Sequence, residues 1–392
     1  MPRSKMEVVR LGVGNECHVL DVAAIPREVT DWDRRWFAAI TSIALTTVQE
    51  QLVRTPPQVL HRQEEILAVH WHPEFVPMAL AMERVRAMFP NSRSELIIPT
   101  QHNVLMALNG YAGVEVDCYA HGFNRKVQLL LHFNEANVAE AGVLSSMLAH
   151  TFRYRSSQLF ELLDSLTEKA FEARRQEAAG ETGADADMVE FCTIHARKLR
   201  RLIDENWGDT PRDMMKNKLV RNYFNCLRET FGDRWISRAQ VYLKAVKHIV
   251  KRNFSLQFFY RTSEVIEEAR ALGAGIVIPH PEQFWPILLA GYDVDGIEVW
   301  NPQSQEYTEF LINAVHRQNQ TRGRASRPLL IFMGDDCHMG EKLGVADSVD
   351  PVKALREVGL QPGWDDLSIR KSLILGGVSR AGIIEEYKAR LG

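Results

Sequence analysis

The stretch 328–344 holds the densest group of residues in this chain that could bind a metal ion. Its five apolar residues 329–333 stand between a proline and Gly334, a pattern typical of a short strand buried on both faces. Asp336 and His338 follow, and carboxylate oxygens and imidazole nitrogens are common ligands of divalent metal ions. Taken alone, the segment is equally well explained as an Asp-rich turn with an incidental histidine.

Ligand-type side chains recur after other apolar runs along the chain. The run 66–69 leads into His70 and His72, and side chains two residues apart on a strand share one face, so the two histidines could chelate an ion. Similar runs precede or contain five further polar residues: His102, Glu115, His132, His280 and Asn301. A single histidine is more often structural than a metal ligand. Recurrence at six predicted strand ends favours a shared metal site instead.

Read in order, the chain contains His-x-His, a turn with His-Asn, Gly-x-Glu, Ile-Pro-His-Pro, Gly-Ile-Glu-Val-x-Asn and Gly-Asp-Asp-x-His. This order resembles the PHP family, named after polymerase and histidinol phosphatase, over residues 62–135 and 262–345, with the more specific match in 263–344. The resemblance implies an α/β fold, a distorted (β/α)7-type barrel with surrounding helices. It also implies two or three metal ions at the carboxyl ends of the strands.

The resemblance implies a metal-binding role for individual residues, because each matches one family motif. In chain order these are His70 and His72 for the first His-x-His, His102 for the second motif, Glu115 for a carboxylate that often bridges two ions, His280 for Pro-His-Pro, and Asp336 with His338 for the closing Asp-x-His. Asp336, His280 and Glu115 are expected to act in catalysis as well.

Two positions depart from the family pattern. The family places an aspartate or histidine a few residues after His-x-His, where this chain offers only Glu74. A histidine that some members carry in the next strand falls at Gln128 or at His132, and the sequence does not decide between them. We therefore expect two divalent ions and leave a third open, with His132 kept as a candidate ligand.

The ligand types indicate which ions and which reaction to expect. Imidazole and carboxylate without a thiolate cluster fit zinc, manganese or iron. Two such ions about 3.5 to 4 Å apart can activate a water molecule as hydroxide and stabilise a leaving oxygen. The favoured function is therefore a phosphoesterase that acts on a phosphorylated small molecule, a nucleotide or an oligonucleotide. A metal- or polyanion-binding scaffold without turnover is the alternative, and an amidohydrolase-like reaction is a third.

A phosphoesterase also needs cations that hold the phosphate. Arg322, Arg324 and Lys342 lie just before or after the turn of Asp336 and His338, so they are candidates for substrate binding. The surrounding stretch 318–327 is equally consistent with a solvated loop.

Length and composition are those of an ordinary globular protein. The 392 residues, 45% of them apolar and 25% charged, are enough for one large domain and an accessory one. A net charge of -3 predicts no general affinity for nucleic acid. Five cysteines without a Cys-x-x-Cys pair, no apolar run of about 18 residues and no recognisable signal peptide predict free thiols and a cytoplasmic location.

The pattern of apolar residues divides the chain into four parts. Residues 1–61 are a predicted N-terminal extension, with a hairpin over 7–21 and one helix over 30–53 that covers the barrel. Residues 62–135 are the first part of the barrel, and 262–392 are its second part with C-terminal helices. Between them, 136–261 is a predicted helical insertion, in which 172–188 loses its apolar periodicity and is expected to be a loop.

The insertion is locally basic. Residues 197–261 contain sixteen Lys or Arg against six Asp or Glu, interleaved with aromatic residues. This composition could bind a polyanion such as nucleic acid, although a helical subdomain with an aromatic core and solvated basic side chains is favoured. The insertion leaves and re-enters the barrel between strands whose ends carry ligands, so we expect it to lie beside the site.

Overall fold

The computed structural model describes residues 20–139, 141–322, 327–343 and 351–392, which form a mixed α/β fold as the sequence predicts. The hairpin predicted over 7–21 lies outside these ranges, apart from Leu20 and Asp21. No helix within the described ranges combines the length and the apolar character that a membrane span requires.

Short strands supply the frame on which the candidate ligands sit. In chain order the described strands are β1 (Glu65–Ala68), β2 (Trp71–His72), β3 (Ser94–Ile97), β4 (Met106–Leu108), β5 (Tyr111–Ala120), β6 (Arg125–Asn134), β7 (Gly275–Ile278), β8 (Gly296–Trp300), β9 (Leu330–Met333) and β10 (Cys337–His338). Strands β4 to β9 form one sheet in sequence order, antiparallel from β4 to β7 and parallel from β7 to β9. Two further pairs are parallel, β1 with β3 and β2 with β10.

The described strands do not close into a barrel, so the predicted (β/α)7-type barrel is not present as one continuous sheet. The physical reason is that β2 and β10 have only two residues each, which is too short to continue a ladder. Backbone hydrogen bonds join neighbouring segments where the sheets are interrupted. Thr100 N donates to Trp71 O (2.8 Å), Asn103 N to Glu115 O (2.8 Å) and Asp336 N to His70 O (2.9 Å). The strand ends that carry ligands therefore still lie side by side.

Helices cover the sheets and form the insertion. The described helices are α1 (Asp31–Thr41), α2 (Thr47–Arg54), α3 (Met78–Met88), α4 (Gly142–Thr167), α5 (Glu172–Thr182), α6 (Ala186–Glu205), α7 (Lys218–Cys226), α8 (Arg228–Phe231), α9 (Asp233–Asn253), α10 (Thr262–Ala271), α11 (Thr308–Thr321), α12 (Pro351–Ala354), α13 (Leu367–Leu375) and α14 (Arg380–Leu391).

The single helix predicted over 30–53 is wrong, because two helices occupy this segment. Thr30 is the N-cap of α1, in a capping box with Asp33. Thr46 is the N-cap of α2, in a second capping box. Only α2 packs on the strand side, against α3. Helix α1 packs on the insertion, where Asp33 forms a buried ion pair with Lys198 at 3.0 Å.

The loop predicted over 172–188 is also wrong, since α5 and the start of α6 occupy it. Helix α5 is mostly exposed and buries only Arg175 and Ala178, so it has no broad apolar stripe to detect. Its alanines and glutamates favour a helix without such a stripe. Gly183, with a φ of 67°, takes the left-handed conformation that ends α5.

The insertion has its own apolar core, separate from the core around the large sheet. Tyr223, Phe224 and Tyr242 are fully buried in it, whereas Trp207 is exposed. This arrangement agrees with the interpretation of the insertion as a helical subdomain with an aromatic core.

A buried arginine joins the N-terminal and C-terminal segments beneath the strands. Arg84 of α3 forms a two-pronged pair with Glu357, at 2.6 and 2.7 Å, and donates to the carbonyl oxygens of Val53 and Thr55, both at 2.8 Å. Because Arg84 is buried and each of these bonds involves a charge, its loss removes several strong interior hydrogen bonds and leaves Lys342 as the remaining cation on Glu357, at 2.9 Å.

We expect Arg84→Met to lower the free energy of unfolding by about 2 to 3 kcal/mol, because Glu357 keeps only Lys342 as a partner and the carbonyl oxygens of Val53 and Thr55 lose their buried donor. Arg86→Met is the matched control, since Arg86 is exposed on the same helix, and it should change the value by less than about 0.5 kcal/mol. Urea unfolding measures both. Equal effects of the two substitutions would contradict the structural role of Arg84.

Candidate metal centre

Seven of the eight candidate ligands converge in the structure, and His132 is the exception. These seven are the residues matched to the family motifs. They form three overlapping groups in which the ligand atoms lie within 4.8 Å of one another: His72, His102 and His338; His70, Glu115 and His280; and His70, His72 and Asp336. Because the second and third groups share His70, and the first and third share His72, the three groups are contiguous. Such an arrangement has room for more than one ion.

Strained turns aim these side chains inward. Glu74, Asn103, His280 and Asp336 all have positive φ values, between 30° and 55°, which residues other than glycine rarely adopt. Each lies within two residues of a predicted ligand or is one itself. Backbone strain of this kind persists where surrounding contacts enforce it, and it clusters at functional sites.

The atoms that face one another at the centre fit a bound cation better than they fit a hydrogen-bond network. Oδ1 of Asp336 lies 3.5 Å from Nε2 of His72 and 3.6 Å from Nε2 of His70 and of His338. His70 Nε2 and His72 Nε2 are buried without a hydrogen-bond partner among the described residues. Unsatisfied buried groups of this kind cost about 1 to 3 kcal/mol each. A divalent ion that prefers nitrogen and oxygen ligands would satisfy them.

The charges around the centre keep Glu115 and His72 in the forms that bind metals, whereas burial of His70 is outweighed by the charge of Glu298, which raises the pKa of His70 to about 10. Burial would raise the pKa of Glu115, but the histidines around it, His102 first, hold this pKa well below its usual range. Burial and the neighbouring imidazoles of His338 and His102 lower the pKa of His72 well below its ordinary value. An ionised carboxylate and a neutral imidazole are the protonation states that metal binding requires.

Glu298 orients one ligand from behind. Its Oε2 lies 2.6 Å from Nδ1 of His70, which leaves Nε2 of that ring facing the centre. Its Oε1 accepts hydrogen bonds from the backbone N of His280 (3.2 Å) and from Asn301 (2.9 Å). A Cβ at Gly334 would lie 2.0 Å from Glu298 Oε2, so only glycine leaves room for this carboxylate.

Glu74, whose role the sequence left open, contacts His338 from outside the three groups. Its Oε1 lies 3.3 Å from Nδ1 of His338, and its Oε2 accepts a 3.0 Å hydrogen bond from the backbone N of Gly340. Glu74 therefore holds the loop of His338 in place, as Glu298 does for His70.

The structure does not bring His132 into the ligand groups. Its Nε2 lies 2.8 Å from the carbonyl oxygen of Val69, and its Nδ1 lies 2.7 Å from the hydroxyl of Tyr387. Both ring nitrogens are thus engaged next to β1, behind the centre. Gln128 lies on β6 opposite Asp117 of β5.

Two of the three predicted phosphate-binding cations, Lys342 and Arg322, do not face the centre either. Lys342 is buried and donates to the carbonyl oxygen of Ala354 (2.8 Å) and to Glu357 (2.9 Å). Arg322 donates to the carbonyl oxygen of Arg327 (3.1 Å) in an exposed turn. Arg324 lies outside the described residues.

Arg356 is a cation at the site that no sequence motif predicted. Its Nη1 lies 2.5 Å from Oδ2 of Asp336, and its side chain is only 3% exposed. Gln303 donates to the same carboxylate oxygen at 2.9 Å. No spacing in the sequence signals Arg356, because it lies in a C-terminal segment without ligand motifs and reaches the site only through folding.

Comparisons with known proteins do not assign a family. No family model matches the chain, and a comparison with curated proteins gave no match. A solved structure from Bifidobacterium adolescentis, described as a candidate metal-dependent phosphoesterase, aligns with 81% of this chain and 96% of its own at 16% identity, with a TM-score of 0.38. This likeness is too low to support a functional argument, so the function rests on the site itself.

Purified without chelator, the protein is expected to hold about two divalent transition-metal ions per chain, because contiguous groups share His70 and His72. His72→Ala and Asp336→Ala should each lose at least about half of this metal, as measured by mass spectrometry. His248→Ala, at an exposed position in the insertion, should retain it. Full occupancy in both ligand variants would refute the assignment.

Glu298→Gln is expected to weaken metal binding by about 10- to 100-fold, because the amide no longer accepts a charge-assisted hydrogen bond from His70. Competition with a fluorescent chelator measures this affinity. Glu282→Gln is the control, since Glu282 lies outside the ligand groups. If both variants bind metal equally well, Glu298 does not orient His70.

Proposed function

We propose that this protein is a metal-dependent phosphoesterase, a divergent relative of the PHP family. The observation that carries this proposal is the contiguity of the three ligand groups through His70 and His72, which gives adjacent ions a place to bind. The order of the motifs along the chain supports it. The backbone hydrogen bonds that join the ends of separate sheets also support the proposal. They fit a distorted barrel that is interrupted at its shortest strands.

Divalent zinc, manganese or iron ions held there would lower the pKa of a water molecule and polarise a phosphoryl group. The chain's own contribution is to keep the carboxylates of Glu115 and Asp336 ionised and to fix the directions of the ligands. We propose that Asp336, Glu115 and His280 act in catalysis as well as in binding. Asp336 and Glu115 lie between neighbouring histidines of different groups, and His280 lies 3.3 Å from Glu115.

In this proposal, Arg356 is a positioning residue for Asp336. Its guanidinium compensates one oxygen of Asp336 and leaves the other oxygen facing the three histidines. The carboxylate is thereby held in one orientation, with Oδ1 directed at the metal-binding groups. Burial would raise the pKa of Asp336, but hydrogen bonds and the charges around it hold this pKa well below its usual range.

The protein loaded with manganese or zinc is expected to hydrolyse an aryl phosphate, and a chelator should abolish this activity. Asp336→Asn keeps the shape of the side chain but removes its charge, so we expect kcat/KM to fall by at least about 100-fold. The exposed variant His248→Ala should retain wild-type activity. Metal-loaded protein that cleaves an aryl ester or amide but no phosphate would overturn the proposal in favour of an amidohydrolase-like reaction.

A further inference from the structure

One edge of β5 leads from the metal centre to the helical insertion. Strand β6 pairs with the opposite edge along the whole of β5. On the edge that β6 leaves free, Asn103 N donates to Glu115 O at 2.8 Å, and further along Tyr119 N donates to the carbonyl oxygen of Tyr260, also at 2.8 Å. A strand rises about 3.2 to 3.4 Å per residue, so Glu115 and Tyr119 are about 13 Å apart along β5.

One face of β5 also connects the centre with the insertion. Glu115, Asp117 and Tyr119 lie on this face, because side chains of a strand alternate between its two faces. Arg155 of α4 pairs with Oδ2 of Asp117 at 2.8 Å, and the same oxygen accepts a 2.8 Å hydrogen bond from Asn103. Helix α4 therefore packs on this face, and the insertion lies beside the metal centre, as its position in the sequence predicts.

Aromatic side chains line a pocket of about 630 Å³ at the far end of this face. Its volume is within the range of ordinary small-molecule sites, about 300 to 1,000 Å³. The walls come from β5 and the turn after it, from α4, and from the segment that ends the insertion. The lining residues that bear rings are Tyr119, His121, His150, Phe258, Phe259 and Tyr260. We call this site the aromatic pocket.

The rings of the aromatic pocket are open to a ligand but fixed in place. Phe258 is 59% exposed, although its ring centroid lies 5.3 Å from that of Tyr154 on α4. The Tyr154 hydroxyl donates to the carbonyl oxygen of Ser255 at 2.6 Å. The exposed ring of His150 lies 5.4 Å from the ring of Tyr260, and its Nε2 lies 2.7 Å from the carbonyl oxygen of Phe258. An exposed group of rings held in this way is typical of a binding site.

We propose that the aromatic pocket stacks a nucleobase of the substrate while a phosphate group of the same molecule lies at the metal centre. This inference rests on the proposed function, and it specifies the substrate class as a short single-stranded oligonucleotide. Aromatic rings stack on any base, because every base has a π-face. One sugar separates the phosphate and the base of a single nucleotide, whereas Tyr119 lies about 13 Å from Glu115 along β5. The stacked base therefore belongs to the nucleotide next to the one whose phosphate reacts.

The charges between the pocket and the centre favour an anionic chain over a cation. Arg155 and Lys126 both pair with Asp117, and their side chains are 37% and 33% exposed. Aromatic rings alone also hold ammonium groups, but these two cations would repel one. Within the pocket, the carboxylate of Glu264 accepts a hydrogen bond from the backbone N of Arg261, whose side chain is exposed. Basic side chains beside stacking rings are the usual features of a site for single-stranded nucleic acid.

The first test compares a dinucleotide that has a terminal phosphate with an analogue whose second nucleotide, counted from that phosphate, lacks its base. Both the 5′- and the 3′-phosphorylated forms are measured with manganese-loaded protein. Wild type should prefer the complete dinucleotide in kcat/KM by about tenfold or more for one of these forms, and Phe258→Ala should lose most of this preference. Phe258→Tyr, which keeps the ring, should retain it.

Phe310→Ala is the matched control, because Phe310 is 58% exposed on α11 and does not line the pocket. This variant should keep the wild-type preference. Equal kcat/KM for the two substrates in wild type, or an unchanged preference in Phe258→Ala, would overturn the pocket as a base site. If a mononucleotide loses as much kcat/KM in Phe258→Ala as the dinucleotide does, the oligonucleotide assignment is overturned.

A second measurement separates this proposal from the proposed function. The fluorescent nucleoside 2-aminopurine riboside has no phosphate, so its binding requires neither the metal centre nor turnover. Its fluorescence should be quenched by stacking on wild type and on Phe310→Ala, and Kd should rise about tenfold in Phe258→Ala. No quenching by wild type, or an equal Kd in Phe258→Ala, would overturn the pocket even if an aryl phosphate is hydrolysed. Quenching by a protein that hydrolyses no phosphate would leave the pocket in place and overturn the proposed function alone.

Discussion

Imidazole nitrogens and carboxylate oxygens are costly to bury without partners, and at the metal centre several of them are buried together. Asp336 has one oxygen at nearly equal distances from three histidines, which is a poor hydrogen-bond network but a good coordination geometry. A cation bound there would satisfy them together, and the residues that face this point come from five separate segments, at or after β1, β3, β5, β7 and β9. Much of the neighbouring structure serves to hold them there.

The supporting residues act on direction and charge. Glu298 and Glu74 each contact the outward nitrogen of a ligand histidine, so the inward nitrogen stays directed at the centre. Gly334 leaves the space that Glu298 occupies. Arg356 offsets part of the negative charge of Asp336 from the buried side. Without these contacts, the strained turns at His280 and Asp336 would have little to hold them in an unfavourable conformation.

The insertion has a double character, with a closed apolar core and a charged surface toward the centre. Its aromatic residues stabilise the helices against one another, while Arg155 and Lys218 reach carboxylates beside the ligands. The basic residues of 197–261 therefore have different structural roles. Arg201 and Arg252 pair with exposed carboxylates on the surface, whereas Lys218 pairs with Glu341, close to His338 in the chain.

The sequence by itself determined the short strands and the order of the ligands. A strand of four or five apolar residues is readable because both its faces are buried. His70 and His72 both reach the site, although His70 lies in a bend between β1 and β2 and not on a strand. Helices with one apolar stripe, such as α1 within the predicted helix over 30–53, were readable as helices but not in their ends. Helix α5 was missed because an exposed helix lacks that stripe.

Only the tertiary structure decided which polar groups meet across the fold. Lys342, close to the ligands in sequence, turns to Glu357, whereas Arg356, from a segment without motifs, reaches Asp336. His132 has the residue type of a ligand, but the packing of β6 against β1 and α14 directs both its nitrogens to Val69 and Tyr387. The physical reason is that spacing along the chain fixes the face on which a side chain emerges, while its partner depends on which distant segment packs against that face.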